Sequence, residues 1–281
     1  MLLTNRREAG KVNVRIETLI VDNLREGIFC AEGKTHGEEM YSQLEAWLRG
    51  DMLRGRIARL ENGEVAGFVI YYPIESAPLD ISGEGLYVVQ CVHVKAPYRN
   101  SGIGRALIES ALSDARENGA TGLAVEGFRP RRDGRFPYLP GSFFQHIGLM
   151  PGESRGSATI YYMSFDKNTS PPTYLQPRPS AVNEKYRVRV DLFDCRRCYL
   201  NIDGRSVVEA VTEKIGADRV KLVVHDQNNR QAILDKGMSS GMMVDGTLTY
   251  FQGPITEDDV MTAIEVAESA KRGPTEKAEE H

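Results

Sequence analysis

Apolar and polar residues alternate from 12 to 20, the period-two signature of a half-buried strand. Between 39 and 53 the spacing becomes helical, with Met40, Leu44, Trp47 and Leu48 on one face. Apolar runs at 56–60 and 66–72 flank Asn62-Gly63, and both turn residues tolerate positive φ, so a hairpin is expected. Residues 86–94 form a longer apolar strand, and 103–117 have the spacing of an amphipathic helix ending near Asn118-Gly119. Runs at 122–127 and 158–165 read as two further strands. This order predicts a mixed α/β domain built around one strand-turn-helix unit.

A second pattern begins after residues 168–183, where Pro171, Pro172, Pro177 and Pro179 favour an extended connector. Alternation at 186–193 leads directly to Cys195-Arg196-Arg197-Cys198. Asp203-Gly204 reads as an interruption, so the next helix is expected at about 206–215. A strand at 220–225, a helix around 230–234 and a hairpin of 242–244 with 247–251 about Asp245-Gly246 follow. Thr256 is a plausible N-cap for a last helix to about 270. The expected division is 1–167, a Pro-rich linker at 168–184, a βαβαββα domain at 185–270, and a charged, disordered tail at 271–281.

The length of 281 residues agrees with two domains, and 41% hydrophobic with 26% charged residues describes an ordinary globular chain. A net charge of −4 argues against a nucleic-acid partner that needs a positive field. No apolar run approaches the ~20 residues of a membrane helix, and residues 1–8 lack the core of a signal peptide. Four cysteines are too few for a disulfide scaffold, which points to a cytoplasmic protein.

The most informative segment runs from Val92 to Leu107: an apolar strand, a Pro-bearing turn, a loop with Gly102 and Gly104, then a helix start. Unpaired N–H groups of a first helical turn, with the helix dipole behind them, suit a pyrophosphate. No G-K-[ST] follows the loop, and Leu107 stands where a third glycine would complete G-x-G-x-x-G, so two common phosphate motifs are excluded. The remaining R-x-x-G-x-G after V-x-V resembles the coenzyme A signature of the GNAT superfamily of N-acetyltransferases. Phe143-Phe144-Gln145-His146-Ile147-Gly148-Leu149 resembles that family's second block.

The resemblance implies the GNAT acyl-CoA N-acyltransferase fold, a mixed central sheet flanked by helices. It also implies transfer of an acetyl group from acetyl-CoA to an amine of a small-molecule or peptide acceptor. The backbone of Val92 and Val94 would pair with the pantetheine arm, and N–H groups of Arg99, Asn100, Ser101, Gly102, Ile103 and Gly104 would hold the pyrophosphate. The Arg99 side chain reads equally as a phosphate ligand or an exposed turn residue, and Ile103 with Leu107 as core anchors.

Acetyl transfer needs a route for protons. Valine occupies position 88, where some family members place glutamate, and Phe144 stands where the acidic tyrosine is usual. Gln90 could position a water; Glu126 could act as a base through water; His146 or Tyr138 could replace the acid. Strict alternation puts Cys91 and His93 on the face opposite Gln90 as packed residues. The arginine-rich stretch 128–141 hints at an acidic acceptor or is a solvated loop.

Residues 185–270 resemble thioredoxin-like domains, and the whole chain resembles bacterial acetyltransferases with a YoaP-type C-terminal domain. Arg196 and Arg197 are expected to lower the pKa of Cys195 and Cys198. Met238-Ser239-Ser240-Gly241-Met242, however, lacks the proline that such domains place opposite the thiols. A competing reading is a thiol-redox or soft-metal protein whose GNAT domain only binds or senses acyl-CoA. A third is a binding module with both domains inactive.

Overall fold

The computed structural model describes residues 13–129, 139–179, 187–249 and 255–272. The chain divides into two compact units, 1–30 with 45–77 and 81–174, and 31–44 with 78–80 and 175–281.

In chain order the first unit contains β1 (Val14–Thr18), α1 (Leu24–Gly27), the end of α2 (Gly37–Arg49), β2 (Arg54–Leu60), β3 (Val65–Pro73), β4 (Ile81–Ser82) and β5 (Leu86–Val94). It continues through α3 (Ile103–Glu117), β6 (Gly122–Phe128), α4 (Gly141–His146), β7 (Met150–Arg155), β8 (Ala158–Ser164) and β9 (Thr173–Tyr174). Seven strands form one mixed sheet in the order β1-β2-β3-β5-β6-β8-β7, with β5 and β6 its parallel pair. The β2–β3 hairpin closes as expected, with Gly63 at φ +89°. One sheet face packs under α3 through Val69, Tyr71, Val89, Leu107 and Ala111. The other carries Phe68, Ile70 and Tyr72, the last set edge-on to Trp47 at 5.8 Å. Several elements have no counterpart in the sequence pattern, among them α1, β4, β9 and two at the sheet's far edge. Residues 150–155 are polar enough to read as loop, yet they pair with β8 at the sheet edge. The short α4 is only six residues long and shows little period.

Asp114 fixes α3 to the sheet. Its carboxylate is 4% exposed and accepts from Arg54 Nε at 2.8 Å, Arg56 Nη2 at 2.6 Å and Tyr71 Oη at 2.9 Å. Burial alone would raise its pKa, but the hydrogen bonds from Arg54 and Tyr71 and the charge of Arg56 outweigh it, and the net shift is downward.

The second unit contains β10 (Val188–Asp194), α5 (Tyr199–Ile215), β11 (Val220–Asp226), α6 (Arg230–Lys236), β12 (Gly241–Val244), β13 (Thr247–Thr249) and α7 (Glu257–Arg272). The sheet order is β11-β10-β12-β13, with β10 parallel to β11 and the other pairs antiparallel. Thr256 caps α7, accepting from the Asp259 N–H at 3.2 Å. Contrary to the expected break, α5 runs straight through Asp203-Gly204 from Cys198, its N-cap. Gly204 is a packing requirement, since a Cβ there would stand 2.8 Å from Ile255 Cδ1.

The second unit also holds two stretches from early in the chain. Arg205 binds Glu39 through two bonds of 2.9 and 3.0 Å, and Ser206 meets His36 at 3.2 Å. Arg197 donates to the Pro78 carbonyl at 2.9 Å, and Arg230 to that of Leu79 at 2.8 Å. The segment read as a linker is structured where described. Thr173–Tyr174 pairs with Ile81–Ser82, and Arg178 N–H bonds the Lys236 carbonyl at 2.8 Å. The 271–281 tail lies outside the described residues beyond 272.

Asp114→Asn should destabilise the protein by on the order of 3 kcal/mol, because it leaves two arginines without their shared anion. Because the folded pKa is depressed, that contribution is present above the ordinary value of 3.8 and lost as pH falls through the folded value. Urea unfolding should therefore show a wild-type advantage at pH 7 that narrows below about pH 4; equal midpoints at pH 7 would refute the role.

Candidate functional site

Strand β5 pairs with β3 along its length, from Tyr87 opposite Pro73 to Val94 opposite Gly67. Its pairing with β6 is much shorter and ends at Val89 opposite Val125, although β6 continues to Phe128 against β8. Two parallel strands thus part, leaving an opening flanked by the second half of β5 and the end of β6. Within β5 the register against β3 steps from Val89 to Cys91, so Gln90 is the extra residue of a β-bulge. The Lys95 N–H bonds the Ala66 carbonyl on the β3 side. By strand alternation the backbone groups of Val94 and Val92 point the other way, into the opening. An extended, amide-bearing chain can pair there as an added strand.

At the mouth of the opening the chain forms a single 3-10 turn (Ala96–Tyr98) and then enters α3. Asn100 (φ +62°) and Gly102 (φ +89°) are both left-handed. Nothing lies within 4 Å of a Cβ built on Gly102, so the backbone angle, not space, requires glycine there. Gly104 has the other reason: a Cβ would come within 3.2 Å of the Phe143 ring. Gly102 caps α3 without any side-chain hydrogen bond, leaving the first N–H groups of the helix for an anion. Arg99 is exposed, and its Nε donates to the Val94 carbonyl at 3.0 Å, which keeps the guanidinium at the mouth. Glu64, on the β2–β3 turn, holds the loop from beneath. It takes Lys95 Nζ at 3.0 Å and Tyr98 Oη at 2.8 Å, and these two bonds lower its pKa. Sequence reasoning missed Glu64, because nothing near it in the chain marks contact with a turn 31 residues away.

The bulge changes which side chains meet. Gln90 Oε1 accepts from Tyr72 Oη at 2.6 Å, on the Trp47 face. Cys91 and His93 stand opposite Ile70 and Phe68, on that same face. The expected separation of Gln90 from Cys91 and His93 is therefore wrong, since one extra residue resets the alternation. Glu126, one step beyond the last β5–β6 pair, alternates with Val125 onto this face too, and it is half-buried. Gln90, His93 and Glu126 thus belong to one face of the sheet, with Gln90 turned toward Tyr72 on the β3 side. His146 is elsewhere: it is exposed at the end of α4, on the α3 side, where its carbonyl accepts from Arg105 Nη2 at 3.1 Å. Tyr138 lies outside the described residues. Phe144 is fully buried, and Tyr161 on β8 packs over it at 6.1 Å with its hydroxyl against Gly141.

The cysteine pair lies in the second unit. Cys195 is fully buried, its Sγ 3.9 Å from the Pro78 carbonyl, beside an Arg197 guanidinium bonded to Ser239 and Ser240 at 2.8 and 3.1 Å. Burial raises the pKa of both thiols, and Arg197 only partly offsets it. The expectation that the arginines acidify the pair is overturned: desolvation wins, and Arg196 is engaged with Glu39 at 3.1 Å. Both thiols are free, and among the described residues no three His, Cys, Asp or Glu side chains converge as a metal set.

Residues 21–132, which include the bulged strand, the glycine loop and α3, match the Acetyltransferase (GNAT) family. The chain is similar to the uncharacterised N-acetyltransferase YoaP of Bacillus subtilis (strain 168), 22% identical over 200 residues, or 69% of this chain and 76% of that protein. Among solved structures it is similar to a PaiA N-acetyltransferase from Thermoplasma acidophilum in complex with coenzyme A. There the identity is 14%, the TM-score 0.39, and the match covers 54% of this chain and 99% of that one. A GNAT family acetyltransferase from Brucella melitensis in complex with acetyl-CoA is 17% identical, with TM-score 0.38 and coverage of 57% and 92%. None of the described helices is long and apolar enough to cross a membrane. Residues 21–132 are thus similar to the acetyltransferases of the GNAT family, and the match stops short of the second unit's C-terminal strands and helices.

Proposed function

We propose that this protein transfers an acetyl group from acetyl-CoA to the amine of a small-molecule or peptide acceptor. The observation that carries the reading is the parting of β5 from β6 beside a helix start whose N–H groups have no side-chain cap. The two halves suit the two ends of the donor: open strand edge for an amide-rich arm, helix N-terminus for a pyrophosphate. Backbone groups of Val92 and Val94 would hold the arm. N–H groups from Arg99 through Gly104, with the Arg99 guanidinium near them, would hold the phosphates.

Acetyl-CoA supplies the activated acyl group. The chain supplies position, fixing the thioester in the opening so that the reaction with a bound amine becomes effectively unimolecular. Gln90, anchored by Tyr72, can orient a water or the acceptor there but cannot take a proton. Glu126 stands across the opening as a carboxylate within the same face.

For the second unit, strand order 2-1-3-4 with one parallel pair and a C-x-x-C at the N-cap of the first helix support a thioredoxin-like reading. Burial of Cys195 and the upward shift of both thiols speak for a structural dithiol over a redox centre. Four cysteines with no disulfide among them fit a reducing, cytoplasmic setting.

Calorimetric titration with acetyl-CoA should give a Kd on the order of micromolar, lost in Gly102→Glu, which strains a left-handed residue and places a carboxylate among the phosphate donors. Glu64→Gln should weaken binding only a few-fold by loosening the Lys95–Tyr98 turn. Absence of binding by the unaltered protein would defeat the acetyltransferase reading. In the native protein Cys195 should resist a maleimide that labels it fully in urea, and a Cys195→Ser/Cys198→Ser variant should bind acetyl-CoA as tightly as the parent. Rapid native labelling would instead restore a reactive dithiol.

A further inference from the structure

We propose that the outer edge of β11 binds an extended peptide with lysine at alternate positions, which adds to the second unit's four-stranded sheet as a further strand. β11 is the outermost strand of that sheet, and among the described residues no strand lies beyond it. The Gln227 N–H bonds the Asp194 carbonyl at 2.8 Å, and the Arg219 carbonyl accepts from the Val188 N–H at 2.9 Å. In a parallel ladder both backbone groups of a residue point to the same neighbour, and the direction alternates along the strand. Odd positions of β11 therefore bond β10, while the backbone groups of Leu222 and Val224 point outward. Among the described residues nothing bonds those outward groups. Val220, at the start of the edge, spends its N–H on the Gly216 carbonyl at 3.0 Å.

This edge is apolar and unguarded, whereas exposed edges are commonly blunted by charge, proline or a bulge. Leu222 and Val224 turn to the α5 side, as their partners Val190 and Leu192 do, and Val224 is 47% exposed. A shallow groove of about 340 Å³ runs between β11 and α5, lined by Glu209, Thr212, Glu213, Ala217, Val220 and Leu222. Its rim is acidic. Glu209 and Glu213 stand one helical turn apart, and both are exposed. Among the described residues Glu213 has no ion-pair partner. Glu209 has only Arg205 Nε at 3.9 Å, and that guanidinium also serves Glu39 and Asp194. Arg219, next to Val220, pairs with Glu268 at 2.8 Å, and Arg187 donates to the Ala217 carbonyl at 3.0 Å.

These features specify the occupant. A strand added about 4.8 Å from β11 alternates its side chains between the two faces. On the α5 side a lysine lays its aliphatic stem over Leu222 and Val224 and sets its ammonium beside Glu209 or Glu213. On the other side, where Val223 stands, an apolar residue fits. A second copy of this chain fits worse. Antiparallel pairing of two β11 edges, with both α5 helices on one side, sets Val223 against itself and each copy's Asp226 opposite the other's Val220. Shifted so that Val224 meets itself, the pairing puts Asp226 opposite Leu222. Either register brings a carboxylate to a groove that already holds two.

Fluorescence anisotropy with the full-length protein and a fluorescein-labelled peptide of alternating lysine and valine tests this. The peptide should bind, and the same peptide with every lysine N-acetylated should bind about 10-fold more weakly. Glu209→Gln/Glu213→Gln should weaken binding of the unmodified peptide by a similar factor. Val224→Pro removes an outward N–H without touching the β10 ladder, so it should melt close to the parent and lose the peptide. If Val224→Pro does not fold, the glutamine pair still decides, because both glutamates are exposed on α5. No binding by the parent would overturn the proposal, as would binding unchanged by acetylation of the peptide, by the glutamine pair or by a folded Val224→Pro. A concentration-dependent dimer in sedimentation, abolished by Val224→Pro, would also overturn it by giving the edge to a second copy. None of these readouts uses acetyl-CoA, so their failure and that of the acyl-transfer reading are distinct.

Discussion

Backbone groups along a strand edge demand partners, and in this domain the sheet withholds them not only at its outer edges but also in its interior, between β5 and β6. Strand β5 is paired on its β3 side from Tyr87 to Val94 except at the Gln90 bulge, but β6 accompanies it only to Val89. Beyond that point β6 stays with β8, so the two strands are pulled apart by their outer neighbours. An open edge in the middle of a sheet is a liability unless something adds to it. The opening is therefore a place inside the sheet where backbone groups of β5 lack a strand partner and an extended ligand can pair.

The rest of the domain keeps that opening in shape. Asp114 ties α3 to β2 and β3 through Arg54, Arg56 and Tyr71, which fixes where the helix N-terminus points. Glu64 ties the incoming turn to the β2–β3 hairpin. Gly102 supplies the left-handed angle that lets the chain leave the turn and start the helix, and Gly104 lets Phe143 close against it. The Gln90 bulge then sorts side chains, so that Gln90, Cys91 and His93 fall on the face away from α3.

Local pattern revealed much of this and global arrangement the remainder. Strand β5 and helix α3 were legible to the residue, because strong apolar periods begin and end there with glycine and asparagine. Position 90 was not, since a bulge changes the register against a partner strand while leaving the apolar run intact. The same limit applies to Cys195 and Cys198: adjacent arginines suggested acidified thiols, but burial under residues 78–80 is a tertiary fact and it dominates. It applies again to 31–44 and 78–80, whose attachment to the C-terminal unit rests on Arg205, Arg197 and Arg230. Long-range arginine contacts leave no period in the sequence.

In the acyl transfer proposed above, the chemistry of the leaving group lightens the need for an acidic side chain where Phe144 stands. A thiol ionises with a pKa of about 8.5, whereas an aliphatic ammonium holds its proton to about 10.4. Near neutral pH the departing sulfur tolerates leaving as an anion, while the amine cannot attack until it has shed a proton. The heavier demand is thus for a base on the acceptor side, and only a lighter one for an acid on the sulfur side. Phe144 offers no such acid, since it is a buried phenyl ring packed in the core with Tyr161.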